Sequence, residues 1–527
     1  MITIRAKQSL PLLCKSALNT FSKKRTWSEG IILILTFCAF FLRLYKLNAS
    51  SIWYDEAIRL SASLKSEQFF STTIYYSIYQ DVILKIWINL TPYKVEYLRL
   101  FSVICGTLIV PLTFILAKKV SNRMIAIFVA GLVAVSPILI IYSQEICHYM
   151  PASVLVLVQT IIFSRWVKNY SYLNGGMFGV VSIILSNVLP QSFFLTVGFL
   201  VYFAWSTKLK GNTTRKSFIL SILMFAPAML YFIWGINFAN TMGDRTGGFF
   251  THFSFSSGLI DRIMTGLFNI PNAESVYAPR FAYFDSYVLY IRMLFGGLFV
   301  ISIVWALLQP DGLLKSFSFA LIIFLFGTGV GILSSNQFYE RYFVAVQPLA
   351  LIVFISFISD MIQRVSLSKV PLILFLVLLM SFWGIMTQKS AYEVAWKPKN
   401  KEAFTKLIEC ARNTDEAYCI VPDFFEWPIA DFYLKNNSKI ALMGPTFEWQ
   451  GQHLRAALLV KEDHYVWLAM KQIKDLRDMK RDNIFLYTQR GSSMIPPLKE
   501  FMKPEYEDEM IYNDVLIVIK FKRKTIG

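Results

Sequence analysis

Apolar residues in this chain come in long unbroken runs. Eleven of them approach or reach the roughly 20 residues that carry an α-helix across a bilayer: 30–47, 96–117, 124–142, 151–167, 176–189, 191–205, 218–238, 287–308, 317–334, 342–362 and 370–386. Each is predicted to be helical, because lipid gives backbone N–H and C=O groups no partner outside the segment. The fifth and sixth are short and meet at Pro190, so two spans and one re-entrant hairpin both fit. Two intervening segments, 48–95 and 240–286, are too long to be simple connectors. In the first, Ile78, Val82, Ile83, Ile86, Trp87 and Leu90 recur at helical spacing, which predicts a helix lying in the interface plane.

Within the tail that begins at 388, the composition changes from Lys397 to that of an ordinary soluble domain. A helix-like stretch at 401–412 precedes an apolar run at 417–421, and another at 426–435 precedes 440–443. A further run at 483–487 and a strand pair around 510–522 complete the series. Short strands alternating with helices predict a small α/β domain. The expected organisation is a basic tail (1–29), an α-helical polytopic membrane domain of about 11 transmembrane helices (30–387), and an extracytoplasmic α/β domain (388–527).

Composition agrees. Of 527 residues, 55% are hydrophobic and 16% charged, which excludes a soluble, disordered or disulfide-stapled secreted chain. The formal charge of +18 raises nucleic acid as a partner, and the location of the charges answers it. With the N-terminus inside, the inner tail and loops carry 18 basic residues against three acidic ones (Glu29, Asp311 and Asp360). The outer loops and span ends carry a net +1, and the tail from 388 a net +2. The positive-inside rule then predicts a multi-pass plasma-membrane protein with its N-terminus cytoplasmic and its C-terminal domain outside. The basic rim meets membrane lipids, and no nucleic-acid partner is implied. The first apolar run has no small-residue cleavage site and ends in Arg43 and Lys46, as an uncleaved signal anchor does.

Candidate chemistry centres on two carboxylates, Asp55 and Glu56, directly after the first span on the outer face. A helix starting here puts Asp55 in its first turn, where the dipole favours a carboxylate, with Arg59 one turn on. Taken alone, this is equally the pattern of a helix cap with a surface ion pair. The flanking residues add to it. Arg43, Leu44, Leu47, Trp53, Asp55, Glu56 and Ala57 read R-L-x-x-L…W-x-D-E-A. Glu96, Leu98, Arg99, Ser102 and Gly106 read E-x-L-R-x-x-S-x-x-x-G at the start of the second span. Ser136-Pro137 is followed by Tyr142-Ser143-Gln144-Glu145 and Tyr149, and Glu340-Arg341-Tyr342 by Pro348.

Together these four motifs resemble the polytopic glycosyltransferases of the GT-C class, in particular the group of protein O-mannosyltransferases and the aminoarabinose and galacturonic acid transferases of lipid A. The chain departs from that pattern in places. The arginine of the family's Q-E-A-R falls on Cys147, with His148 beside it; its P-P-L-Y-Y segment falls near 77–81, where Tyr75, Tyr76 and Tyr79 stand; its histidine two places before a tryptophan is Lys85 before Trp87. These departures bear on the sugar and acceptor rather than on the class.

The resemblance implies a GT-C fold and transfer of a sugar from a polyprenyl-phosphate donor to a lipid, glycan or protein acceptor. Inverting transfer needs a carboxylate to take the acceptor's proton, and Asp55 is the expected base, with Glu56 and Glu145 the other catalytic candidates. The departing phosphate needs cations, for which Lys85, Arg341 and Arg59 are the candidates. Snorkelling to the interface is the plain alternative for each. Tyr54, Tyr142, Gln144, Tyr149 and Tyr342 are expected in the substrate cavity. No cofactor is required outright; a divalent ion at Asp55 or Glu145 is one that the class allows. The four histidines have no metal-ligand spacing. Cys410 and Cys419 share the oxidising side, where a disulfide and two free thiols both fit. A transporter or flippase of a lipid-linked intermediate is the alternative function. The sequence shows no internal repeat, and the candidate charges gather at outer span ends, which favours chemistry at one interface.

Overall fold

The computed structural model describes residues 27–64, 79–246, 263–264, 266–268, 285–310, 312–333 and 340–364 of the membrane domain. Of the remainder it describes 378, 400–412, 417–421, 427–434, 437–443, 483–489, 495–503, 505–513 and 516–524. The eleventh apolar run, 370–386, lies outside them save for Leu378.

The other ten runs fall on helices. The order is α1 (Trp27–Leu44), α2 (Tyr54–Leu64), a π-helical turn (Tyr79–Leu84) running into α3 (Lys85–Leu90), α4 (Val95–Val120), α5 (Arg123–Val135), α6 (Pro137–Ser143), α7 (Tyr149–Asn169) and α8 (Tyr172–Val188). There follow α9 (Ser192–Thr207), α10 (Asn212–Thr246), α11 (Asp285–Leu308), α12 (Gly312–Leu333), a 3-10 helix (Glu340–Val346) and α13 (Gln347–Arg364). Five of the described helices are long and apolar enough to cross a membrane by themselves. The short run on either side of Pro190 is two helices: α8 packs chiefly on α10 and α9 on α12, with little contact between them. Leu33, Ile34, Phe37 and Phe41 of α1 and Leu294 and Ile301 of α11 stay exposed, as lipid-facing residues do. By contrast α13 is apolar all round and almost wholly enclosed by its neighbours, the mark of an interior helix.

One predicted span proves to be broken. The run 124–142 is two helices, α5 and α6, bent by 53° at Ser136–Pro137. Pro137 has no N–H, so the Val133 carbonyl loses its helical partner. Arg43, at the last turn of α1, donates to Val133 O (3.2 Å) and Ala134 O (3.0 Å), replacing the lost bonds, and its Nε reaches Ser143 Oγ (3.2 Å) on α6. The Ser136 side chain caps α6 by accepting from the Leu139 N–H and donates to Gln347 Oε1 (3.0 Å). Gly106 of α4 gives this brace room, because a Cβ there would lie 2.0 Å from Ser143 Oγ and 3.0 Å from Arg43 Nε.

In the tail, α14 (Asn400–Ala411) precedes β1 (Ala417–Ile420), α15 (Trp427–Leu434) and β2 (Ile440–Met443). After these come β3 (Ile484–Gln489), α16 (Ile495–Met502), β4 (Tyr506–Asn513) and β5 (Leu516–Arg523). The strands form one sheet in the order β2-β1-β3-β5-β4, parallel through the first three and antiparallel beyond. Cys410 and Cys419 are both free thiols, which removes the disulfide reading. Helix α15 packs on α2, so the tail sits against the helix that carries Asp55.

Replacing Gly106 by Ala is expected to destabilise the protein by about 1–3 kcal/mol through overpacking. Gly297→Ala, where nothing lies within 4 Å, should be neutral or better. Thermal melts of the two purified variants check this.

Candidate active site

Asp55 and Glu56 are adjacent in the first turn of α2. Neighbouring residues on a helix point about 100° apart, so the two carboxylates cannot serve one partner. They diverge to different arginines. Glu56 is fully buried and takes a bidentate pair from Arg99 of α4, Nε to Oε1 and Nη2 to Oε2, each 2.8 Å. Arg99 Nη1 also donates to Leu47 O (2.8 Å), Ser50 O (3.0 Å) and Ser50 Oγ (3.1 Å), and Nη2 to Ser51 O (3.2 Å). All five guanidinium N–H groups are thereby used. The second duty of Glu56 is to accept the Ile146 N–H at 2.9 Å, which fixes the loop carrying Glu145 and His148.

Asp55 faces the other way and pairs with Arg341, on the 3-10 helix that leads into α13. Both side chains keep some exposure, 21% and 15%, so the pair sits at an open edge rather than in the core. Around it gather Arg59, His148, Tyr149 and Tyr342. Tyr149 interacts electrostatically with Arg341, Arg59, Tyr342 and Asp55. His148 lies in the fields of both Arg59 and Arg341, with its ring 4.3 Å from that of Tyr149 and 6.2 Å from that of Tyr79. Burial, reinforced by the two guanidinium groups, holds its imidazole well below the usual histidine range.

The remaining candidates are distributed as follows. Tyr142 is buried, its ring 5.0 Å from that of Tyr149, and Tyr54 is half-buried at the start of α2. Glu145 is buried and interacts electrostatically with Arg99. Gln144 is turned toward α1, donating to Arg43 O (3.1 Å) and Tyr45 O (2.7 Å). Lys85 is half-buried at the start of α3, directly after the π-helical turn that packs on α2. On that segment Val82, Ile86 and Leu90 form an exposed apolar stripe at four-residue spacing, while Leu84 and Ile88 are buried.

Sequence reasoning assigned no role to Tyr79 or His148. The available signal for His148 was its place in the third motif, between Glu145 and Tyr149. As for a metal ion, no three His, Cys, Asp or Glu side chains stand together among the described residues. The Glu56 carboxylate is committed to Arg99, and Asp55 is paired with Arg341. No step is routed through a divalent ion.

This architecture is the fold of the GT-C class of polytopic glycosyltransferases. The solved structures that share it include ArnT from Cupriavidus metallidurans in the apo state, with a TM-score of 0.55, 12% identity, and coverage of 94% of this chain and 98% of that one. The same protein bound to undecaprenyl phosphate matches with a TM-score of 0.52 at 11% identity, over 93% and 98% of the two chains. The oligosaccharyltransferase of Archaeoglobus fulgidus, tethered with an acceptor peptide containing the NVT sequon, matches at 0.52 and 13% identity, over 95% of this chain and 74% of that one. No protein-family model and no curated protein sequence matches the chain.

Two outcomes follow from this geometry. Glu56→Ala leaves Arg99 buried without its counter-charge and is expected to cost about 3–5 kcal/mol, read as loss of folded protein from the membrane. The lowered His148 makes stability fall with acid: below the unfolded-state pKa near 6.5 the unfolded chain binds a proton that the folded one refuses. The thermal midpoint should therefore drop more between pH 7 and pH 5 in the wild type than in His148→Gln.

Proposed function

We propose that the protein transfers a sugar from a polyprenyl-phosphate donor to a lipid, glycan or protein acceptor, with inversion, at the outer face of the plasma membrane. The observation that carries this reading is the Asp55–Arg341 pair, a carboxylate and a guanidinium meeting at an open edge of the membrane domain. Support for the donor class comes from the shared fold, since ArnT from Cupriavidus metallidurans binds undecaprenyl phosphate. The positive-inside charge pattern supports a cytoplasmic N-terminus.

In this reading the donor phosphate competes with Asp55 for Arg341, because a charge-assisted bond to phosphate is at least as strong as one to a carboxylate. Arg59 and Lys85 supply further positive charge to the phosphate. Once released from Arg341, Asp55 accepts the proton of the acceptor hydroxyl. The acceptor oxygen bonds to the anomeric carbon as the bond from that carbon to the phosphate oxygen breaks, and the electron pair leaves with the polyprenyl phosphate. Arg341 and Arg59 stabilise that developing charge. Glu145 and the tyrosines Tyr54, Tyr142, Tyr149 and Tyr342 position the sugar and acceptor. Glu56 and Gln144 act in support, fixing the helix and loop that carry these groups.

The test uses the full chain in lipid nanodiscs, a panel of undecaprenyl-phosphate-linked sugars and envelope membranes as the acceptor source. Asp55→Asn is expected to lower transfer by roughly 10²-fold or more while the protein folds normally. Arg341→Ala should weaken binding of undecaprenyl phosphate by roughly tenfold or more. Wild-type transfer by Asp55→Asn would contradict the assignment of the base. A wild type that neither transfers from the panel nor binds undecaprenyl phosphate would overturn the reading as a whole.

A further inference from the structure

The segment that delivers Asp55 is held from two sides. From the membrane domain, Arg99 binds the carbonyls of Leu47, Ser50 and Ser51. From the soluble tail, Asn400 Nδ2 donates to Ile52 O at 2.8 Å, and the Lys401 N–H donates to Ser51 Oγ at 3.0 Å. Tyr433 Oη accepts from the Ile52 N–H at 3.1 Å and is hydrogen-bonded to the Ser51 side chain. Ile52 thus has both backbone polar groups satisfied by the tail, three residues before Asp55. Asn400 is itself fully buried, and Tyr487 Oη of β3 donates to its Oδ1 at 2.8 Å. This bond fixes which end of the amide faces Ile52. Phe404 lies beside both tyrosines, with ring centroids 5.2 Å from Tyr433 and 4.4 Å from Tyr487.

A tail that merely packed against α2 would need no such contact. A buried amide, oriented by a second buried hydroxyl and aimed at one backbone carbonyl, is a costly arrangement unless that carbonyl's position matters. We infer that the C-terminal domain completes the catalytic centre, with Asn400 as a positioning residue that sets the backbone at Ile52 and through it the aim of Asp55 at the reacting hydroxyl. The inference rests on the transferase reading above. It places the effect of Asn400 on the chemical step more than on donor binding, because Arg341, the first of the cations proposed for the phosphate, lies on the 3-10 helix Glu340–Val346 and not on the segment that the tail holds. Tyr487 acts on Asp55 only through Asn400, so its removal has the smaller effect.

The experiment compares full-length wild type, Asn400→Ala, Tyr487→Phe and Ile519→Ala in nanodiscs, measuring kcat, the donor KM and the thermal midpoint. Ile519 is a buried residue of β5 whose cross-strand partners are Leu486 and Met510, on the opposite face of the sheet from Tyr487, and its truncation reports simple loosening of the tail. The expected result is a kcat lowered tenfold or more in Asn400→Ala with KM within twofold, a smaller loss in Tyr487→Phe, and an unchanged kcat in Ile519→Ala despite a lower midpoint. A kcat within twofold of wild type in Asn400→Ala overturns the positioning role and leaves the transferase reading intact. Parallel losses of kcat and midpoint across all three variants overturn it as well, since they report tail stability alone. An inactive wild type removes the transferase reading and this inference with it.

Discussion

A buried ion pair, Glu56 with Arg99, is the constraint on which this end of the helical domain depends. Neither side chain has measurable exposure, and charges taken so far from water are tolerated only when every donor and acceptor is engaged. Arg99 meets that demand by binding three backbone carbonyls from the chain that leaves the first span, and Glu56 by taking the amide of Ile146. One interaction therefore fixes the start of α2, the turn before it and the loop after α6. The rotation of a single helical residue then delivers Asp55 to Arg341. The Asp55 carboxylate owes its place to its neighbour.

A second arginine repeats the strategy one layer deeper. Arg43 spends its guanidinium on the carbonyls that Pro137 leaves orphaned, and so lets α5 and α6 bend without leaving unpaired groups in lipid. Beyond the bend, the Tyr142 ring meets that of Tyr149 and the Ile146 N–H reaches Glu56. Gly106 is required by the same brace, because Ser143 approaches its backbone too closely for any side chain. Several residues of the four motifs are thus structural, and their spacing follows from how two arginines reach backbone carbonyls.

Much of this was legible in the apolar runs, which mark ten helices and the change to a mixed tail, since lipid imposes helical geometry on any apolar stretch. The alternation of short strands and helices after residue 400 was equally plain. What could not be read was the division of labour between adjacent residues. Asp55 and Glu56 look alike in sequence, and their partners lie 286 and 43 residues away. Gln144 belongs to a motif centred on Glu145 but turns to the end of α1, a choice decided by packing. A hydropathy window averages over Ser136–Pro137 and hides the break. The tail contacts at Ile52 span 348 and 381 residues and leave no local trace, because a buried asparagine and tyrosine have no periodic signature.

In the proposed mechanism Asp55 and Arg341 are joined only while no donor phosphate is bound, and the phosphate separates them. The most direct measurement is a cryo-EM structure of the full chain in nanodiscs saturated with undecaprenyl phosphate. The phosphate is expected within about 3 Å of the Arg341 guanidinium, with Arg59 alongside and the Asp55 carboxylate released from Arg341. A phosphate bound elsewhere, with the Asp55–Arg341 pair intact, would contradict it.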